Sequence, residues 1–496
     1  MTVETLEHYV AGEWVTGDGA SVTTDVNPSD ASEELARIPQ ADGSLVDRAA
    51  GAASDGFKVW SRMSGPDRAE LLHKAANLLA ERRDDLARTV ALEVGKPIGE
   101  AVQEVKRGVV ILRYFAEEAV HPIGQVIPAQ QAGSLQFSLR QPIGPILIIS
   151  PWNFPVAIPL WKLAPAIAFG NAVVWKAAEV ASLTATRLVQ VLDDAGLPSG
   201  VVNLVHGKGS VTGNALVAHE AIRAITFTGS EQVGMNIAAV AAKRNVKYQL
   251  EMGGKNAAIV LPDADLQQAA SLVAAGAMRF AGQKCTATSR TVVAEDVLEP
   301  FLAKLDEAVS ALPLAPAIDP SSAIGPLITQ DSLENVRSYA EEAARTGRLI
   351  TGGTVVEGDS RSRGYFFEPT VVADIPPDAR VAQEEVFGPL LVVHTVDSVD
   401  EAIEVANSTR YGLSVSLFTR DINSALDYIH RVDSGMVRVN GDTTGVDPHA
   451  PFGGMRASSS HSREQGPAAV EFFTETKTVQ INPAATSAQV NPKGGA

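Results

Sequence analysis

Four short apolar runs constrain the fold of this chain most: Ile146-Leu147-Ile148-Ile149, Ala172-Val173-Val174-Trp175, Val201-Val202-Asn203-Leu204-Val205 and Ala224-Ile225-Thr226-Phe227. They are too short for buried helices, rich in β-branched residues and stopped by turn residues, as parallel strands covered on both faces are. Helix-like segments such as Thr184 to Ala195 separate them. Alternation of this kind is the βαβ pattern of a doubly wound sheet. A second alternating set from Ala257 to about Asn440 includes Leu390-Leu391-Val392-Val393-His394 and Gly435-Met436-Val437-Arg438-Val439-Asn440, which predicts a second α/β domain. From Leu45 to Val94 the apolar residues recur at helical spacing among Arg, Glu and Asp, as amphipathic helices over a sheet would. Gln136 to Arg140 alternates like an exposed strand, and Phe472 to Val479 is strand-like. The tail beyond Asn482 is rich in Ala, Pro, Gly and Ser and is expected to be poorly ordered.

With 496 residues, 45% of them hydrophobic and 20% charged, the chain can build two or three cores. A net charge of -17 works against nucleic acid and anionic lipid, and favours small molecules as partners. The N-terminus lacks a basic region followed by an apolar stretch, and no apolar run is long enough to cross a bilayer, so a cytoplasmic protein is expected.

The chain has a single cysteine, Cys285, within Gly282-Gln283-Lys284-Cys285-Thr286. One thiol makes no internal disulfide and no multi-thiolate metal site, which leaves packing or nucleophilic chemistry, and no metal centre is expected. No Gly-x-Gly-x-x-Gly opens a helix after any strand, so the usual dinucleotide fingerprint is missing. Phe227-Thr228-Gly229-Ser230-Glu231 instead offers a strand end, a glycine turn and a serine suited to cap a helix whose N-terminus could face phosphate.

Seven segments occur in a telling order: Pro151-Trp152-Asn153-Phe154-Pro155, Trp175-Lys176-Ala177-Ala178-Glu179, Phe227-Thr228-Gly229-Ser230, Leu250-Glu251-Met252-Gly253-Gly254-Lys255, Gly282-Gln283-Lys284-Cys285, Glu384-Glu385-Val386-Phe387-Gly388-Pro389 and Pro451-Phe452-Gly453-Gly454. Together they resemble the NAD(P)-dependent aldehyde dehydrogenase superfamily. The resemblance implies an α/β architecture: a doubly wound parallel-sheet cofactor domain (1–122 and 142–252), a catalytic α/β domain (253–453) and a small β oligomerisation arm (123–141 and 467–482), with a flexible tail (483–496). It also implies a homodimer or homotetramer.

By the same resemblance, Cys285 is the nucleophile toward an aldehyde, and Asn153 with the Cys285 backbone N–H stabilises the oxyanion. Glu251 is the general base that activates water against the thioester, which implies a free acid as product and not a coenzyme A ester. Lys176 and Glu179 take the adenosine ribose. Because a carboxylate there repels a 2′-phosphate, NAD is the expected cofactor, although some relatives also use NADP. Glu385 and Phe387 hold the nicotinamide ribose and ring, and Trp152, Gly207 and Ser230 stand at further cofactor positions.

Two segments depart from the family pattern. Lys176-Ala177-Ala178-Glu179 lacks the proline often found after this lysine. The later loop reads Gly453-Gly454-Met455-Arg456-Ala457-Ser458-Ser459-Ser460-His461-Ser462, serine-rich where many members carry a further glycine. This loop, the Cys285 segment and Gly445-Val446-Asp447-Pro448-His449 resemble the branch that oxidises 2,5-dioxopentanoate. Lys284 could draw in a carboxylated aldehyde or depress the thiol pKa, or it could pair with an acid of the protein. A broad-range aldehyde dehydrogenase, a noncatalytic protein of the same fold and a thiol hydrolase are the alternative readings.

Overall fold

The computed structural model describes residues 3–17, 21–121 and 124–484; most of the tail, from residue 485, lies outside the described residues. Two seven-stranded sheets carry the architecture. In the first the order is Lys247–Glu251, Ala224–Thr228, Pro145–Ile149, Ala172–Lys176, Val202–Leu204, His8–Val10 and Glu13–Val15. The first five are parallel, His8–Val10 pairs antiparallel to Val202–Leu204, and Glu13–Val15 pairs antiparallel to His8–Val10. Side-chain alternation explains the apolar runs. Ile146, Ile148, Val173 and Trp175 enter the core on one face, packed against helices Ala157–Ala168 and Ser182–Asp194, while Leu147, Ala172 and Val174 meet Leu45, Val46, Ala49 and Ala53 of helix Gly43–Trp60 on the other.

The chain runs outward from Pro145–Ile149 to Val202–Leu204 and then returns to Ala224–Thr228 on the opposite side. Strand order therefore reverses between Pro145–Ile149 and Ala224–Thr228, and the crevice at their carboxyl ends is where such sheets bind ligands.

The second sheet has the order Arg348–Thr351, Thr370–Ala373, Leu390–Val396, Thr288–Ala294, Asn256–Val260, Ser414–Phe418 and Met436–Val439. Only the edge strand Arg348–Thr351 is antiparallel. A third sheet of three antiparallel strands joins Gly124–Ile127, Leu135–Pro142 and Thr474–Ile481. Leu135–Pro142 is its central strand, paired on both sides, so the open edges are its two neighbours and not the Gln136–Arg140 segment itself.

Two differences from the sequence reading have clear physical causes. Before the helical region, the strands Glu4–Thr5, Val22–Asn27 and Asp30–Pro39 form a small sheet whose polar residues hide its alternation, and only Leu35, Ala36 and Ile38 reach a core, with Leu92 and Leu183. Near the C-terminus the strand begins at Thr474, not Phe472. Phe472 and Phe473 end helix Gly466–Phe473 and sink into the core beside helix Ala157–Ala168, where each contributes about 2–3 kcal/mol of apolar burial. No helix among the described residues is long and apolar enough to cross a membrane.

Candidate active site

A cavity of about 260 Å³ opens at the switch point, walled by Trp152, Asn153, Ser230, Cys285, Glu385 and Phe387. The turn carrying Trp152 and Asn153 is held from behind. Glu104 accepts the Val156 and Ala157 amides at 2.8 and 2.9 Å and so satisfies the start of helix Ala157–Ala168. Its charge is paired with buried Lys96, whose ammonium also lies 3.7 Å from the centre of the Phe154 ring. Asn153 is buried and gives one amide hydrogen to the Gln283 carbonyl at 2.9 Å. Its second hydrogen is available to a ligand beside Cys285.

Strained backbone delivers Cys285. Phe280, Ala281 and Gly282 have φ of 56°, 51° and 65°, three successive left-handed residues. A Cβ at Gly282 would strike the Gly388 carbonyl. The strain is held by Gln283, fully buried, whose amide group bonds Pro326 O at 3.1 Å and the Ile328 N–H at 2.9 Å. Asn256 completes the clamp, giving its amide hydrogens to Cys285 O and Ala287 O, both at 2.8 Å, while its oxygen accepts from Ser414 N at 3.0 Å. Burial, and then the carboxylates of Glu385, Glu251 and Glu464, push the Cys285 thiol up, so the resting sulfur is a neutral thiol.

Glu251 ends the strand Lys247–Glu251 and is 2% exposed. Burial, followed by the neighbouring Glu464 carboxylate, pushes its carboxyl well above the usual range. Glu464 is ion-paired with buried Lys162, which also donates to Thr226 Oγ1 at 2.9 Å. The serine-rich loop lies along this strand: Met252 N bonds Ser458 O at 2.7 Å, and Leu250 exchanges backbone bonds of 2.9 Å with Ser460, to its hydroxyl and from its amide. Its Ser459 hydroxyl donates to Glu251 Oε2 at 2.5 Å.

A second cavity of about 550 Å³ continues along the carboxyl ends of the sheet, lined by Lys176, Gly209, Ser210, Asn214, Val233 and Ile237. Lys176 is 5% exposed and makes no hydrogen bond among the described residues; burial lowers it to about 8 against the pull of Glu179, which sits in the following turn Glu179–Ala181. Both cavities border the N-terminus of helix Glu231–Lys243, whose first N–H groups have no side-chain cap. Ser230 occupies the cap position without capping and stays exposed, which corrects the expectation that it seals the helix. Gly207 precedes the turn Gly209–Gly213 and is not itself on the cavity wall.

At the other end, Glu385 accepts the Gly254 amide at 3.0 Å, and burial pushes its carboxyl up to about 7. Its carboxylate packs onto Gly253, where a side chain would collide with it. Phe387, itself left-handed at φ 57°, meets Trp152 edge to face at 5.6 Å. A buried unpaired ammonium, an uncapped helix N-terminus and an acid over an aromatic platform, strung along two adjoining cavities, fit an extended dinucleotide. No group of acidic, histidine or cysteine side chains among the described residues is arranged to hold a metal.

A third cavity, about 370 Å³, reaches the neighbours of Cys285 from the opposite direction, through Lys284, Thr286 and Phe154. Lys284 is not free there: its ammonium pairs with Glu100 at 2.9 Å and is nearly buried. Two cations on the same wall, both from helix Ile98–Glu118, have no ion pair among the described residues: the exposed Lys106 and the half-buried Arg107, and neither has a sequence signal to distinguish it from other helix-surface cations. Asn256 was equally hidden, since an asparagine opening a strand reveals nothing about the loop it clamps.

Comparison with known proteins agrees with this geometry. Residues 14–479 match the model of the aldehyde dehydrogenase family. The chain is 42% identical over 480 residues to the alpha-ketoglutaric semialdehyde dehydrogenase of Bacillus subtilis, covering 97% of this chain and 98% of that one. It is 37% identical over 474 residues to the 2,5-dioxopentanoate dehydrogenase of Saccharolobus solfataricus, covering 95% and 98%. The crystal structure of an NAD-dependent aldehyde dehydrogenase from Sinorhizobium meliloti superposes with a TM-score of 0.94 at 33% identity, covering 98% of this chain and 96% of that one. With the cavity that Cys285 lines at the switch point and a family match spanning nearly its whole length, this chain belongs to the aldehyde dehydrogenase family.

Proposed function

We propose that this enzyme oxidises a semialdehyde bearing a distal carboxylate, 2,5-dioxopentanoate first among them, to the free dicarboxylic acid with NAD. The observation that carries the reading is the place of Cys285: its own side chain walls the cofactor cavity, while Lys284 and Thr286 on either side of it open onto the cavity that holds Arg107. The relatives from Bacillus subtilis and Saccharolobus solfataricus are named for this same semialdehyde.

In the reaction the Cys285 thiol releases its proton to solvent water and the sulfur bonds to the aldehyde carbon, sending the carbonyl electron pair to oxygen. Asn153 and the Cys285 backbone N–H hold that oxyanion. Lys176, Glu179, Ser230, Trp152, Glu385 and Phe387 would hold NAD, which would supply the hydride acceptor for the carbon bound to Cys285. A thioester on Cys285 remains. Glu251 takes a proton from water, the resulting hydroxide adds to the thioester carbon, and the C–S bond breaks to return the cysteine and release the acid. The first sheet is the cofactor-binding unit and the second the catalytic one. Gly124–Ile127, Leu135–Pro142 and Thr474–Ile481 form the oligomerisation arm, whose exposed Val126, Leu135 and Ile481 suit contact with another copy.

Arg107 supplies the charge that meets the distal carboxylate. Arg107→Gln should lower kcat/KM for 2,5-dioxopentanoate and glutarate semialdehyde by about 10- to 100-fold and leave pentanal unaffected. Absorbance of the reduced nicotinamide reads both, and the wild-type preference for charged substrates should fall as salt rises. Equal wild-type efficiency on pentanal and the semialdehydes would defeat the substrate assignment and leave a broad-range enzyme. Cofactor choice has its own test. Glu179→Gln removes the charge that repels a 2′-phosphate and should raise the NADP-to-NAD ratio of kcat/KM about tenfold; an unchanged ratio would place the determinant elsewhere.

A further inference from the structure

The serine-rich loop has no part in the chemistry above, yet Ser459 is the one hydrogen-bond donor on the Glu251 carboxyl among the described residues. Its hydroxyl cannot rotate freely. The Gly454 amide donates to Ser459 Oγ at 2.6 Å and fills one lone pair, which directs the O–H to Glu251 Oε2. Residues 458 and 460 are tied to Met252 and Leu250, and Ser459 itself bridges Glu251 across the two antiparallel segments, so donor and acceptor ride on one paired element. The second carboxyl oxygen, Oε1, is buried and has no hydrogen-bond partner among the described residues.

We propose that Ser459 is a positioning residue for deacylation, holding Glu251 Oε2 so that the carboxylate stays ionised and Oε1 is presented, unencumbered, to the water that attacks the thioester. The inference rests on the reading of Glu251 as the base. The charged and titratable groups around Glu251 are Glu464, which raises its proton affinity, Lys162 and Arg463, which lower it, and the Cys285 thiol, which the Glu251 charge itself raises. Against burial and Glu464, a short donor on Oε2 is the largest local force favouring the ionised form. Losing it raises the pKa of the carboxyl. A step that needs the carboxylate grows faster as pH climbs through that pKa, so its acidic limb moves to higher pH.

The test follows release of free acid from preformed acyl-enzyme by rapid quench across pH, with the burst of reduced nicotinamide recorded alongside. Ser459→Ala, and Ser459→Gly in case alanine disturbs the loop, should keep the burst amplitude. Their acidic limb should rise by about one pH unit, making release about tenfold slower on the limb and unchanged on the plateau. Ser459→Thr should restore the wild-type profile. In a Glu251→Gln background, Ser459→Ala should add nothing. A limb that stays at its wild-type pH in the alanine and glycine variants overturns the role of Ser459 alone. A Glu251→Gln enzyme that releases acid at the wild-type rate overturns the underlying reading of Glu251 instead.

Discussion

Cys285→Ala should lose aldehyde-dependent NAD reduction by at least about four orders of magnitude while binding NAD as tightly as the wild type. The substitution removes one sulfur atom at the contact of Leu413, Met436 and Phe452, a loss of about 1 kcal/mol in packing that a chain of this size tolerates. The loop itself is held by other means, since Asn256 grips the backbone carbonyl of Cys285 and Gln283 anchors the turn before it. Activity and fold are therefore separable at this position. Absorbance of reduced nicotinamide measures the first, and NAD titration by protein fluorescence together with thermal melting measures the second. Turnover within tenfold of wild type would remove the covalent route, whereas lost NAD binding would mean that the thiol is part of the scaffold.

Glu251→Gln is expected to separate the two halves of the reaction. Gln keeps the shape of the side chain and can still meet the Ser459 hydroxyl, but it cannot take a proton from water. One equivalent of reduced nicotinamide per active site should appear in a burst, after which the steady state should fall by at least about 100-fold. The wild-type enzyme should lose steady-state turnover at acid pH for the same reason, because burial and Glu464 raise the Glu251 carboxyl and protonation silences it as pH falls through that raised value. If burst and steady state both keep wild-type rates, the base is another group.

The strands of the two large sheets were legible because both of their faces are buried: Ile146 to Ile149 and Ala172 to Trp175 need apolar residues at every position, and local composition records that need. The N-terminal strands Val22–Asn27 and Asp30–Pro39 were not. They are held by ladder bonds to each other and by a few residues such as Leu35 and Ile38, and their remaining positions read as polar loop. Site residues divide in the same way. Cys285, Glu251 and Asn153 lie in motifs whose residue types are unusual enough to stand out in order along the chain. Asn256, Arg107 and Ser459 act through where the fold carries them. Ser459 lies 208 residues beyond the glutamate it contacts, and nothing local announces the meeting. Lys284 shows the converse, for its place beside Cys285 left open a role toward substrate or thiol and a pairing with an acid of the protein, and a partner 184 positions earlier, Glu100, takes up its charge.

Peptide mapping of Glu251→Gln after mixing with 2,5-dioxopentanoate and NAD, quenched in acid, tests the central claim most directly. The peptide containing Cys285 should carry the mass of the acyl group, should carry it only when NAD was present, and should lose it on treatment with hydroxylamine, which cleaves thioesters. An unmodified Cys285 peptide in a sample that has reduced one equivalent of NAD would contradict the account, because oxidation would then have proceeded without a bond to this sulfur.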